Sequence, residues 1–260
     1  MKYFIHAVPE RLWYLNKFLI PRMLEQGIKI EELEMYIDNG HDGNLVSCLN
    51  SLSMMSNDDG GTWHLQDDIM ISHDFADVTH NVMKDTIMCG MCMDIDEEQE
   101  KPGGKVDTKN MWYSFQCIYI PNKIALHFVH WFNTVAIEDK KYTLWISKNK
   151  YDDSFFREFM LSCYPNYNIM NIMPNIVNHI DYMLDGSLIN KDLEDVKDIN
   201  RQAKYFEDRD SQDKLEYEVR NFKLINKMQN QIDKLGSKPK MNIPKIKDMH
   251  CVKKEPMNYN

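Results

Sequence analysis

The sequence predicts an α/β domain built on a parallel sheet. Short apolar runs alternate with amphipathic helical stretches in the first 70 residues, turn signals separate them, and charged residues stand where the runs end. Three strands with two intervening helices suit parallel pairing, because each parallel connection needs a crossover.

Tyr3 to Val8 is an apolar run closed by Pro9 and reads as a buried first strand. From Glu10 to Gln26, Leu12, Leu15, Phe18, Leu19, Met23 and Leu24 recur at helical spacing, with Gly27 as a stop; Pro21 should kink this helix or begin a second one. Leu33 to Ile37 is a second strand, followed by the turn Asp38-Asn39-Gly40. Leu45 to Met55 reads as helix, and Thr62 to Leu65 as a third strand after the turn Asp58-Asp59-Gly60-Gly61. Further on, Asp74 to Met83 predicts helix, Thr86 to Met93 strand, Asp94 to Asn110 an acidic loop, and Met111 to Ile120 strand. Ile124 to Phe132 predicts helix, Thr143 to Ser147 a brief strand, and Asp152 to Cys163 helix. From Asn190 to Leu235 the chain is charged and helical, with Leu215, Val219, Phe222, Ile225, Met228, Ile232 and Leu235 forming a stripe that should pack on the body or on a partner helix.

The 260 residues suffice for one large domain with an appendage, and 43% hydrophobic against 27% charged residues excludes wholesale disorder. No apolar run reaches the roughly 20 residues of a membrane helix, and the first residues lack a signal-peptide layout. Six cysteines without dense spacing make no disulfide scaffold, so a reducing, cytoplasmic compartment is expected. The net charge of −9 excludes a surface coated for nucleic acid, though not a local basic face. From Gly236 onward six lysines against two acids give +4, which leaves −13 on residues 1–235. The expected organisation is therefore a domain over 1–190, a helical extension over 191–235 and a flexible basic tail over 236–260.

In parallel sheets of the nucleotide-binding kind, loops at the carboxyl ends of strands form the ligand crevice. Pro9 with Arg11, Asp38, and Asp67-Asp68 all fall at such ends. Two adjacent acids inside a half-buried strand would point to opposite faces at high desolvation cost. At a strand end they can converge on one hard cation, or on a cation and a sugar hydroxyl. The plainer alternative is a solvated turn.

The segment Leu65-Gln66-Asp67-Asp68, followed by Asp74-Phe75, resembles GT-A glycosyltransferases, particularly small phage and bacterial ones. The resemblance covers residues 2–190 and implies a GT-A (Rossmann-like) nucleotide-binding sheet flanked by helices, with a helical C-terminal extension. It implies that Pro9, Arg11, Asp38 and Asp67 contact the nucleotide sugar and that Asp68 holds Mn²⁺ or Mg²⁺. Gln66-Asp67-Asp68 departs from the family's Asp-x-Asp by lacking its first acid. Pro174 to His179 resembles the late segment in which such enzymes supply a metal-binding histidine, here His179, against the plain reading of a structural histidine. Asp185-Gly186-Ser187 would loop over the donor phosphates through Ser187, or is an ordinary turn.

Asp152 and Asp153 stand at a helix start, where either caps the helix or acts as general base toward an acceptor hydroxyl; Asp153 is the first choice. Cys89 and Cys92 have CxxC spacing without a second pair and read as core cysteines, and His127 with His130 as a packed helix face. The expected activity is metal-dependent transfer of a sugar from a nucleotide diphosphate, a UDP-sugar first, to a hydroxyl. The phage-like resemblance makes a hydroxymethylated pyrimidine in DNA one acceptor, with the lysine tail on phosphates, beside glycans; a phage-encoded chain would work in the host cytoplasm. Two other classes stay open: a metal-dependent phosphoryl or nucleotidyl hydrolase, and a non-catalytic protein that works through its C-terminal helix. Neither a Walker A motif nor a Gly-x-Ser-x-Gly elbow occurs.

Overall fold

A computed structural model describes residues 1–56, 58–83, 85–91, 115–148, 152–184, 203 and 206–236. The chain divides into two compact units, Met1–Tyr217 and Glu218–Asn260. The first is a mixed α/β body. Its strand β1 (Lys2–Ala7) pairs in parallel with β2 (Leu33–Ile37) on one side and with β3 (Gly61–Gln66) on the other. On its other side β3 pairs with β6 (Cys117–Pro121), which runs antiparallel to it and to β5 (Ile87–Cys89); β5 pairs in parallel with β7 (Ile169–Asn171). The order is β2-β1-β3-β6-β5-β7, mostly parallel with β6 reversed. A separate two-stranded ribbon joins β4 (Ile69–Ile71) to β8 (Val177–His179) antiparallel, with Ile69 opposite His179.

The first helical segment begins with a 3₁₀ turn (Pro9–Arg11) and α1 (Leu12–Tyr14), opens into a π turn (Leu15–Leu19), and continues as α2 (Ile20–Glu25). Pro21 stands in the first turn of α2, where its missing N–H costs least. The wide turn before it eases the clash of its ring with the preceding carbonyls. The expected second helix at Pro21 is therefore present, entered without a break.

β1 is apolar because both of its faces are covered. One face joins a core in which Phe4, Ile118 and Ile120 meet Leu45, Leu49 and Leu52 of α3 (Asn44–Ser53), Phe128 of α5 (Asn122–Trp131), and Phe155, Phe156 and Phe159 of α7 (Asp152–Cys163). On the other face, Tyr3 meets α4 (Phe75–His80): its ring is 6.0 Å from Phe75, and its hydroxyl is 2.6 Å from Thr79 Oγ1. Tyr14 ties the first helical segment to the ribbon by donating to the Ile69 carbonyl at 2.7 Å.

One expected strand is a helix. Residues 143–147 lie in α6 (Thr143–Lys148), since Asp139 accepts the Lys141 N–H at 2.9 Å and starts a 3₁₀ turn (Lys140–Tyr142) that leads straight into it. Trp145 then packs on Tyr142 and Phe155, a tertiary contact that overrides the strand preference of the threonine and isoleucine. α8 (Arg209–Gly236) is the long C-terminal helix. In the second unit its Leu224, Ile225, Met228 and Ile232 are exposed. The expected acidic loop over 94–110 and the basic tail lie outside the described residues. No helix among the described residues is long and apolar enough to cross a membrane.

Candidate active site

Parallel pairing of β1, β2 and β3 aligns Ala7 with Ile37 and His6 with Gln66, so Val8, Asp38 and Asp67 emerge at one edge of the sheet. Pro9 opens the turn after β1, and that turn delivers Arg11, which is 2% exposed. Asp67 turns toward β1: its Oδ2 accepts the Val8 N–H at 2.8 Å. Burial, and next the charge of Asp68, push the Asp67 carboxyl well above the ordinary range, while Arg11 and the Val8 N–H pull it back.

Asp68 faces the other way, toward the ribbon. Its Oδ2 lies 3.1 Å from His179 Nε2, and its carbonyl accepts the Ile180 N–H at 2.8 Å. His179 is buried at the end of β8, and its Nδ1 lies 3.5 Å from Asp181 Oδ1. The two adjacent acids thus diverge in role. Asp67 braces the loop after β1, and Asp68 meets an imidazole brought in from 111 residues downstream.

Asp38 is buried, with Oδ2 accepting from Ser47 Oγ and Oδ1 accepting the Asp42 N–H at 3.1 Å. Burial works to raise its carboxyl, but these hydrogen bonds, with His6 and His41 nearby, hold it below the ordinary value. Ser47 sits on α3 one turn after Asn44, whose side chain donates to Asp152 Oδ1. The start of α3 therefore holds Asp38 with one residue and Asp152 with the next on the same face. Asp152 is buried, and its Oδ2 is covered with no hydrogen-bond partner among the described residues. Burial first, then Asp153, raises its carboxyl, against the backbone N–H groups at the start of α7. Asp153 is half-buried, and its Oδ1 accepts the Ser154 N–H at 2.6 Å, so it satisfies one free donor of the helix start. Burial raises its carboxyl too.

Two residues at this edge escaped the sequence reading. His6 is 7% exposed between the rings of Tyr36 and His64, at 5.8 and 5.9 Å, and burial lowers its imidazole to about 4 although Asp38 and Asp68 work to raise it. A polar residue inside an apolar strand was the available signal. Asp181, two residues past His179, was the other; only the turn after β8 brings it to the ring. Ser187 lies outside the described residues. The Cys89 thiol is buried and pushed up to about 12, as expected of a core cysteine, and Cys92 is outside the described residues. His127 and His130 do not form the expected packed face: both are exposed, and His127 only lies along the edge of the core, with Nδ1 2.8 Å from the Tyr164 hydroxyl and its ring 5.2 Å from Phe159.

Among the described residues no group of three or more His, Cys, Asp or Glu side chains is placed to hold a metal ion. Mg²⁺ and similar hard ions need none, since they bind through one or two protein ligands plus water and substrate phosphates. Octahedral ligands at about 2.1 Å stand about 3 Å from their neighbours. The 3.1 Å between Asp68 Oδ2 and His179 Nε2 fits such an edge, and that nitrogen is covered with no hydrogen-bond partner among the described residues. No family model and no curated protein matches the chain.

Proposed function

We propose that the protein is a metal-dependent glycosyltransferase that moves a sugar from a nucleotide diphosphate, a UDP-sugar first, to a hydroxyl acceptor. The observation that carries this reading is the gathering of Arg11, Asp38 and Asp67 at the carboxyl edge of three parallel strands, with Asp68 next to Asp67 but turned to the ribbon, 3.1 Å from His179. It supports the GT-A resemblance, in which these positions hold the donor.

In this reading Pro9 and Arg11 line the nucleotide, and the guanidinium complements its negative charge. Asp38, kept ionised by Ser47 and the Asp42 N–H, receives a ribose or base donor. Asp67 holds the loop after β1 in register through Val8. Asp68 and His179 would hold Mn²⁺ or Mg²⁺, which supplies neutralisation of charge on the departing nucleoside diphosphate. Asp153 takes the proton from the acceptor hydroxyl as its oxygen attacks the anomeric carbon and the carbon–phosphate oxygen bond breaks. A carboxyl raised by burial is a better base at neutral pH than a solvated one. Asp152 stands behind it, held by Asn44.

A thermal-shift panel of nucleotide sugars, with and without Mn²⁺, tests this. A donor that stabilises the protein only with metal is the expected result. No shift with any sugar nucleotide would overturn the reading in favour of a hydrolase or a non-catalytic protein.

A further inference from the structure

We infer that Gln212, at the start of α8, is a positioning residue for His179; the inference rests on the metal-site reading above. His179 is 1% exposed, and among the described residues neither ring nitrogen has a hydrogen-bond partner. Its polar neighbours are carboxylates at 3.1 and 3.5 Å. The ring is therefore placed between these two carboxylates by packing and by the backbone that carries it.

That backbone is held on both sides by one side chain. Gln212 Oε1 accepts from Asn178 Nδ2 at 3.2 Å, and Gln212 Nε2 donates to the Tyr182 hydroxyl at 2.9 Å. Asn178 precedes His179 on β8, and neighbours on a strand face opposite ways, so Gln212 grips the back of the strand whose front meets Asp68. Tyr182 belongs to the turn Asp181–Met183, which carries the carboxylate facing His179 Nδ1. Asn178 is completed by the Ala203 N–H, donated to its Oδ1 at 2.8 Å.

The ribbon needs this support. β4 and β8 make a ribbon of two strands and three residue pairs, and two strands alone are at best marginally stable in water. The same C-terminal segment also holds the β4 side: Asp208 Oδ2 accepts the His73 N–H at 2.9 Å, while its Oδ1 accepts the Ser211 N–H at the start of α8. Ala203, Asp208 and Gln212 thus staple both strands that bring Asp68 and His179 together. Every residue named belongs to the unit Met1–Tyr217.

The test compares the full chain with Gln212→Leu, which loses both bonds, and Gln212→Glu, which keeps an oxygen for Asn178 and for the Tyr182 hydroxyl. Ile124→Ala in α5 controls for general destabilisation. Two readouts are taken: the imidazole ¹⁵N–¹H correlations of His179 without metal, and Mn²⁺ affinity by electron paramagnetic resonance. Gln212→Leu should shift the His179 signals and weaken Mn²⁺ about tenfold or more, as loss of an orienting partner does. Gln212→Glu should recover most of both, and Ile124→Ala should change neither while lowering Tm. Should Gln212→Leu fail to fold, Tyr182→Phe removes one of the two bonds and gives a milder form of the test. Unchanged His179 signals in the Gln212 variant, or an equal loss of Mn²⁺ in Ile124→Ala, would overturn the inference. Shifted signals in a protein that binds no Mn²⁺ even as wild type would uphold Gln212 and overturn the metal site instead.

Discussion

Replacing Asp152 by Asn should make the protein more stable at neutral pH and flatten its pH dependence. Burial raises the Asp152 carboxyl, so the folded chain keeps this proton where the unfolded chain has released it. The folded state then binds more protons, and stability falls as pH rises from about 4 through the folded value. The limiting slope is about 1.4 kcal/mol per pH unit for one group. Asn keeps the oxygen that accepts from Asn44, so little else is lost. Urea unfolding of both proteins at about pH 4, 5 and 6 should show near-equal stability at the lowest value. The variant should then gain by roughly 1–3 kcal/mol at the highest. A difference that stays flat across the series would refute the claim that Asp152 is buried with its carboxyl raised.

Three further outcomes follow from named contacts. Gly61→Ala should destabilise by about 1–3 kcal/mol or more in thermal unfolding, because its Cβ would lie 2.4 Å from the Tyr119 ring and hydroxyl. Tyr119 is held against Trp63 at 5.6 Å and has little room to yield. Tyr14→Phe should cost about 1–3 kcal/mol by leaving the buried Ile69 carbonyl without its donor, and should loosen the ribbon in hydrogen exchange before the main sheet. His179→Ala should reduce Mn²⁺-dependent donor binding about 10-fold or more, with metal-free donor binding changed far less.

Where the chain carried a strong local signal, its structure was readable from residues alone. The apolar run of β1, the strand Leu33–Ile37 and the helix Asp152–Cys163 stand where hydrophobic patterning puts them. The alternation in the first 70 residues was enough to foresee parallel pairing and the strand-end gathering of Arg11, Asp38 and Asp67. Three strands of three residues, β4, β7 and β8, were not legible, since such pieces are shorter than any periodicity and exist through their partners. The site's dependence on them was hidden as well. Asp68 and His179 meet only because β4 pairs with β8, and Gln212 reaches Asn178 only through tertiary packing. The stripe on α8 drew the eye to its apolar residues, whereas a glutamine on the first turn makes the contact nearest the site.

The most direct measurement is calorimetric binding of a UDP-sugar to the wild type and to Asp68→Ala, each with and without Mn²⁺. Wild type should bind the donor at least about tenfold tighter with the metal. The variant should keep its fold and its metal-free affinity but lose that increment. Equal affinities with and without Mn²⁺ in the wild type, or the same increment in both proteins, would contradict the account.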